Sequence, residues 1–245
     1  MTKRLQGQGK LVAEFFLIVA GVLAALAADT AFENRRDSEL KDEYLARIEA
    51  DLKSDAEAIK YRIDFFDDVQ AFCGDVLNWL GSDVQVDQDM LLASFYAAEV
   101  WPFLPSRSTF EDLQSTGNIR LLDDIELRTS LSRYYNRADT SRSGWNPSED
   151  YREVIRGVIP NDVQALIRQN CPTTDNMDER PTGFPDCELP GVDYDEMTRL
   201  FARLKDDVEL RETLTYRHSE LGVMTYLLAQ QRKIGEQVLE VIAAQ

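Results

Sequence analysis

The sequence predicts an all-α protein, with an N-terminal transmembrane helix followed by a soluble bundle of about five to seven helices. Three observations carry that prediction. An unbroken run of fourteen apolar residues, Phe15 to Ala28, lies between Glu14 and Asp29. Downstream, apolar residues recur at steps of three and four, the helical period, and no alternating stretch of strand length interrupts them. Helix start and stop signals punctuate the rest.

The first element is the apolar run. A hydrocarbon core of about 30 Å needs about 20 helical residues, so the run alone is short. Extended over 11–32 it reaches 22 residues and takes in Glu14, Asp29 and Thr30, all close enough to the margins to meet headgroups and water. Residues 1–10 then form a basic tail with Lys3, Arg4 and Lys10, and residues 33–245 the soluble helical domain. A cleavable signal peptide is the competing reading, because the basic start and Ala25-Leu26-Ala27 suit one. Against cleavage, Glu14 charges the start of the apolar region and the chain passes directly into a strong helix. A retained span is therefore expected.

At 100° per residue, Glu14, Ile18, Gly21, Ala25 and Ala28 share one side of this helix, with Asp29 at its edge. Phe15, Phe16, Val19, Val22, Leu23 and Leu26 take the other. Small residues four apart let helix backbones approach, and an ionisable group near the membrane prefers protein to lipid. The first side is thus the expected packing face, against a second copy or another membrane protein.

Leu45, Ile48, Leu52, Ile59, Ile63 and Phe66 continue a coiled-coil-like stripe toward Gly81, with Asp51, Lys53, Asp55 and Lys60 assigned to the other faces. Asp87 is a plausible N-cap for the next helix, and Pro102 lies beyond its end. Ser108 and Glu111 have capping-box spacing, and Gly117 with Asn118 reads as a left-handed stop before a helix beginning near Asp123 or Asp124. Phe110, Leu113, Ile119, Leu121, Leu122, Leu127, Leu131 and Tyr135 are core candidates of this helix–turn–helix segment. Asn146 and Pro147 start a further helix that Pro160 bends or breaks. Asp193 with Glu196 starts another, and a last long helix covers about 208–244 with Leu210, Leu214, Leu221, Met224, Leu228, Ile234, Val238 and Ile242 along one stripe.

Between these helices, residues 170–192 hold four of the eight prolines and form the one long irregular loop. Cys171 and Cys187 lie within it, and a bridge between them would close the loop and suit an oxidising compartment. Cys73 sits on a helix and reads as a small core residue.

The net charge of −17 disfavours nucleic acid, whose phosphates such a surface repels. A single histidine, His218, and three cysteines leave little material for zinc or non-haem iron sites or for a nucleophilic triad, so no metal, cofactor or catalytic residue is assigned. His218 is expected to be a partly exposed helix residue.

Two stretches together, "EFFLIVAGVLAALAADTAFENRRDSELKDEYLARIEADL" and "TFEDLQSTGNIRLLDDIELRTSLSRYYN", resemble an uncharacterised family of bacterial single-span membrane proteins. The likeness rests on Tyr44, Leu45, Ile48, Asp51 and Leu52 after the anchor, and on Phe110, Leu113, Ser115, Gly117 and Asn118 in the hairpin. Thr30, Ala31 and Phe32 stand where the family pattern has tryptophans, and the proline and cysteine loop is particular to this chain. The resemblance implies a membrane anchor and a helical body, and no reaction.

The expected function is non-catalytic: an accessory or scaffold protein held in the bacterial inner membrane by one helix, N-terminus in the cytoplasm and helical domain in the periplasm. The positive-inside count does not decide that orientation; the short basic tail and the cysteine pair favour it. The alternative is a periplasmic ligand-binding or sensing domain whose pocket draws on Trp79, Trp101, Phe103, Tyr134, Tyr135 or Trp145. A carboxylate hydrolase using Asp123 and Asp124, or Glu111 and Asp112, ranks last, since acidic pairs at helix starts usually serve as caps.

Overall fold

The computed structural model describes residues 2–144, 149–173 and 183–244, with side chains over 14–139, 151–173 and 183–244. Among the described residues there are eight α-helices, one 3-10 helix and no strand. The all-α expectation holds. The helices are α1 (Thr2–Leu80), α2 (Gln88–Tyr96), α3 (Ser108–Ser115), α4 (Ile125–Gly144), α5 (Glu149–Val158), α6 (Asn161–Asn170), α7 (Tyr194–Lys205) and α8 (Val208–Ala243). The 3-10 helix, η1, is Asn118–Leu121.

Three local findings sharpen the sequence reading. The apolar run and the stripe after it belong to one helix, α1, with no glycine or proline between Gly21 and Gly74 to break it. Pro160 ends α5 and becomes the cap residue of α6, and among the described residues seven α-helices follow α1, within the expected five to seven. The turn before α4 is tightened by η1, entered through Gly117 at φ 74°, a left-handed conformation that glycine adopts without steric cost. The cap expected at Asn146 and Pro147, and Trp145, lie outside the described residues, as do the side chains of Lys3, Arg4 and Lys10. Asp87, Asp193 and Asp207 each cap their helix, accepting from the amides of Met90, Glu196 and Leu210.

The chain forms two compact units. The first comprises residues 1–49 and 108–125, and its buried side chains include Tyr44, Leu45, Ile48, Phe110, Leu113, Leu121 and Leu122. The second comprises residues 50–107 and 126–245. Its core runs along α1 from Phe65 to Leu80 and takes in α2, α5, α6, α7 and the first half of α8.

In the second unit α1 is read in sevens. Leu52, Ile59, Phe66, Cys73 and Leu80 are all buried, as are Val69 and Val76 in the alternate slot. Two polar residues occupy that alternate slot, and here one sequence expectation is corrected. Asp55, assigned to a solvent face, is 2% exposed. It lies three residues after Leu52 and four before Ile59, so the helical period turns it inward whatever its charge. Its carboxylate accepts from the Ser106 amide at 2.9 Å and from the Tyr134 hydroxyl at 2.8 Å. Seven residues on, Arg62 donates to the Pro102 carbonyl and lies over the Trp101 ring at 4.0 Å. The extended segment after α2 is therefore held to α1 by the two polar residues of the heptad stripe.

Candidate membrane segment and its polar collar

From Glu14 to Arg36 every side chain of α1 is exposed except that of Val19, which is half-buried. The large apolar residues Phe15, Phe16, Leu17, Ile18, Val22, Leu23 and Leu26 are 54–76% exposed. Soluble proteins rarely leave so continuous an apolar surface uncovered. The backbone satisfies itself within the helix, the one requirement that hydrocarbon imposes, and the Thr30 hydroxyl donates to the Leu26 carbonyl at 2.9 Å. By length and composition this helix can cross a membrane.

Glu14, Ile18, Gly21, Ala25, Ala28 and Asp29 all lie on this exposed length of α1. A Cβ placed on Gly21 would meet no atom within 4 Å, so the close approach that glycine permits is not used within this chain.

Directly beyond the segment, α3 and η1 of the first unit are tied to α1 by polar groups. The Tyr44 hydroxyl donates to Asp112 Oδ2 at 3.0 Å, and Asn118 Nδ2 donates to the same hydroxyl at 3.1 Å. Arg47 reaches Asp112 at 3.5 Å, Lys41 reaches Asp123 at 3.5 Å, and Arg120 lies 3.9 Å from Asp37. Of the hairpin residues, Ser108 opens α3, Phe110 and Leu113 are buried, Gly117 makes the left-handed turn, Asn118 binds Tyr44, and Glu111 is exposed. Tyr44 and Asn118, from the two quoted stretches, thus meet in one hydrogen-bonded cluster. The acidic residues Asp112 and Asp123 serve as partners of Tyr44, Arg47 and Lys41 there.

Cys171 and Cys187 are joined, with Cα atoms 5.6 Å apart. The loop is also held by side chains. Gln88 donates to the Cys187 carbonyl and accepts from the Leu189 amide, and Tyr96 donates to the Cys171 carbonyl. Phe184 inserts among Phe65, Phe72 and Tyr96, with ring centroids 4.7–5.1 Å away. Residues 174–182 of the loop lie outside the described set.

The aromatic residues weighed as a pocket are mostly core: Trp79, Tyr134 and Tyr135 are at most 4% exposed. His218 is half-buried, and its carbonyl accepts from Gln70. Burial pushes the Cys73 thiol up to about 11, against the opposing influence of Arg217, so it is protonated and inert at neutral pH.

Two arginines escaped the sequence reading. Arg217, 2% exposed, donates to the carbonyls of Ala97 and Glu99 just after α2. Arg156 donates to the Phe95 carbonyl and to the Glu99 carboxylate. Both supply positive charge to the carbonyls at and just beyond the C-terminal end of α2, where the helix dipole is negative. Their spacing was the available signal: Arg217 falls on the stripe of Leu210, Leu214 and Leu221.

Among the described residues no group of three or more histidine, cysteine, aspartate or glutamate side chains is arranged to hold a metal. Comparison of the chain with family models, curated proteins and solved structures gives no match.

Proposed function

We propose that the chain is a membrane-anchored, non-catalytic accessory or scaffold protein. Residues 11–32 cross the bacterial inner membrane once, with the basic tail in the cytoplasm and the helical domain in the periplasm. The face of Glu14, Ile18, Gly21, Ala25, Ala28 and Asp29 packs on another membrane helix, either a partner subunit's or a second copy. The acidic helical domain then makes the protein contacts outside the bilayer. The observation that carries this reading is the apolar length of α1, exposed at every residue but the half-buried Val19, on which small residues and Glu14 share one side. The Cys171–Cys187 bond supports the periplasmic placement, since such bonds persist outside the cytoplasm.

Single cysteines placed at Gly21, Ala25, Phe16 and Leu23 test the packing face by crosslinking in native membranes. Strong crosslinks from positions 21 and 25, with weak ones from 16 and 23, are expected. Equal yields from both sides would refute a specific helix partner.

A further inference from the structure

The collar borders an open, mostly polar cavity of about 530 Å³, within the size of ligand sites, lined by Leu121 and by the polar residues Asn34, Asp37, Ser38, Lys41, Arg120 and Asp123. Its lining carries two cations and two carboxylates, and Arg36, outside the lining, stands 3.8 Å from Asp37. The Lys41–Asp123 and Arg120–Asp37 separations of 3.5 and 3.9 Å are at the long end of ion pairing, and three of the four side chains are more than a third exposed or nearly so. Loose pairs of this kind hold a fold together weakly and exchange readily for a ligand that offers both signs of charge.

Placement identifies the ligand. At 1.5 Å per residue, Asn34 stands about 3 Å along the helix axis beyond Phe32, Asp37 about 8 Å and Lys41 about 14 Å. The interfacial layer on each side of a bilayer is about 5–8 Å deep, and a lysine stem reaches back toward it. If 11–32 spans the membrane, the cavity therefore begins at headgroup depth, at Asn34 and Asp37, and extends about 6 Å beyond it to Lys41, and the inference rests on that reading.

We propose that this cavity binds the headgroup of a zwitterionic phospholipid with a primary ammonium, a phosphoethanolamine. Arg120 and Lys41 take the phosphate, the guanidinium by a forked pair of hydrogen bonds. Asp37 and Asp123 accept from the ammonium, whose three N–H donors match carboxylates. A choline headgroup has no N–H to give and calls for an aromatic cage, which the lining lacks. A purely anionic headgroup would leave Asp37 and Asp123 facing like charge.

The test uses the full chain, purified in mild detergent and reconstituted in vesicles of equal parts phosphatidylethanolamine, phosphatidylcholine and phosphatidylglycerol. Lipids that remain bound after re-extraction are counted by native mass spectrometry. Phosphatidylethanolamine is expected to exceed phosphatidylcholine by about tenfold, the ratio that one or two charge-assisted hydrogen bonds supply. Asp37→Asn, checked for an unchanged circular-dichroism melt, is expected to bring the ratio near one. Arg120→Gln, checked likewise, removes a contact to the phosphate that both lipids share, and is expected to lower retention of both while leaving their ratio unchanged. Equal retention of the two lipids, an enrichment that survives Asp37→Asn, or a total retention that Arg120→Gln leaves unchanged overturns the proposal. Displacement of the lipid by equimolar soluble glycerophosphoethanolamine would reassign the cavity to a free metabolite and overturn the lipid as occupant. Vesicle flotation separates the two readings: a chain that fails to float removes the membrane span, whereas one that floats without enrichment removes only the headgroup site.

Discussion

Asp55 places a carboxylate among Leu52, Ile59 and the Tyr134 ring, where a carboxylate is costly unless its oxygens are matched. Ser106 and Tyr134 match them, and removing the carboxylate strands both donors. Asp55→Ala should cost about 2–4 kcal/mol, read by chemical denaturation. Burial raises the Asp55 carboxyl above its ordinary 3.8, outweighing its two hydrogen bonds, and Asp51 adds to the rise. An acid that holds its proton more tightly when folded contributes most below its unfolded pKa, and that contribution fades as pH climbs through the raised folded value. Wild-type stability relative to Asp55→Asn should therefore decline with rising pH from about 3.8 upward. A pH-independent difference between the two would contradict this. Two glycines make a matched pair at the same scale. Gly157 in α5 has no atom near a would-be Cβ, so Gly157→Ala should stabilise by about 0.5–1 kcal/mol. A Cβ on Gly235 would stand 3.2 Å from Tyr134 Cε2, and Tyr134 is fixed by Asp55 and Gln231. Gly235→Ala should lose about 1 kcal/mol or more in the same assay.

Helix boundaries were legible because caps are local. Asp87, Asp193 and Asp207 each bind an amide three residues on, and Gly117 marks its own turn, so a short window of sequence suffices. The burial of Asp55 and Arg217 and the half-burial of Arg62 were legible in position but not in kind. Their spacing puts them on the inner stripe, yet charge argues for water until a partner is known. Those partners are distant in sequence: Ser106 and Tyr134 lie 51 and 79 residues from Asp55, and Ala97 lies 120 from Arg217. The collar behaves likewise, since Tyr44 and Asn118 are 74 residues apart and only the fold brings them together. The disulfide segment makes its own prediction. Reducing Cys171–Cys187, which lie 16 apart, should lower stability by about 3 kcal/mol in the chain-entropy view, seen as a lower denaturation midpoint with dithiol present.

For the whole molecule, the proposed function makes insertion and association separable properties of α1. On that proposal Leu23→Arg puts a charge on the lipid-facing side at a cost of about 2.5–3.5 kcal/mol, and should shift protein out of the alkali-resistant membrane fraction. Gly21→Leu should leave that fraction unchanged, because no atom of this chain opposes a side chain there, while reducing co-purification of a partner. The unbroken course of α1 past Gly21 gives the chain a fixed angular phase. A helix without a hinge transmits rotation, so the azimuth of Glu14, Gly21 and Ala25 is locked to that of Tyr44, Leu45 and Ile48 by residue count alone. One alanine inserted between Phe32 and Glu33 advances that azimuth by about 100°, whereas seven return it to within about 20°. A partner that grips both the span and the collar should be lost with the first insertion and recovered with the second. The length of α1 then acts as a key whose cut is measured in degrees.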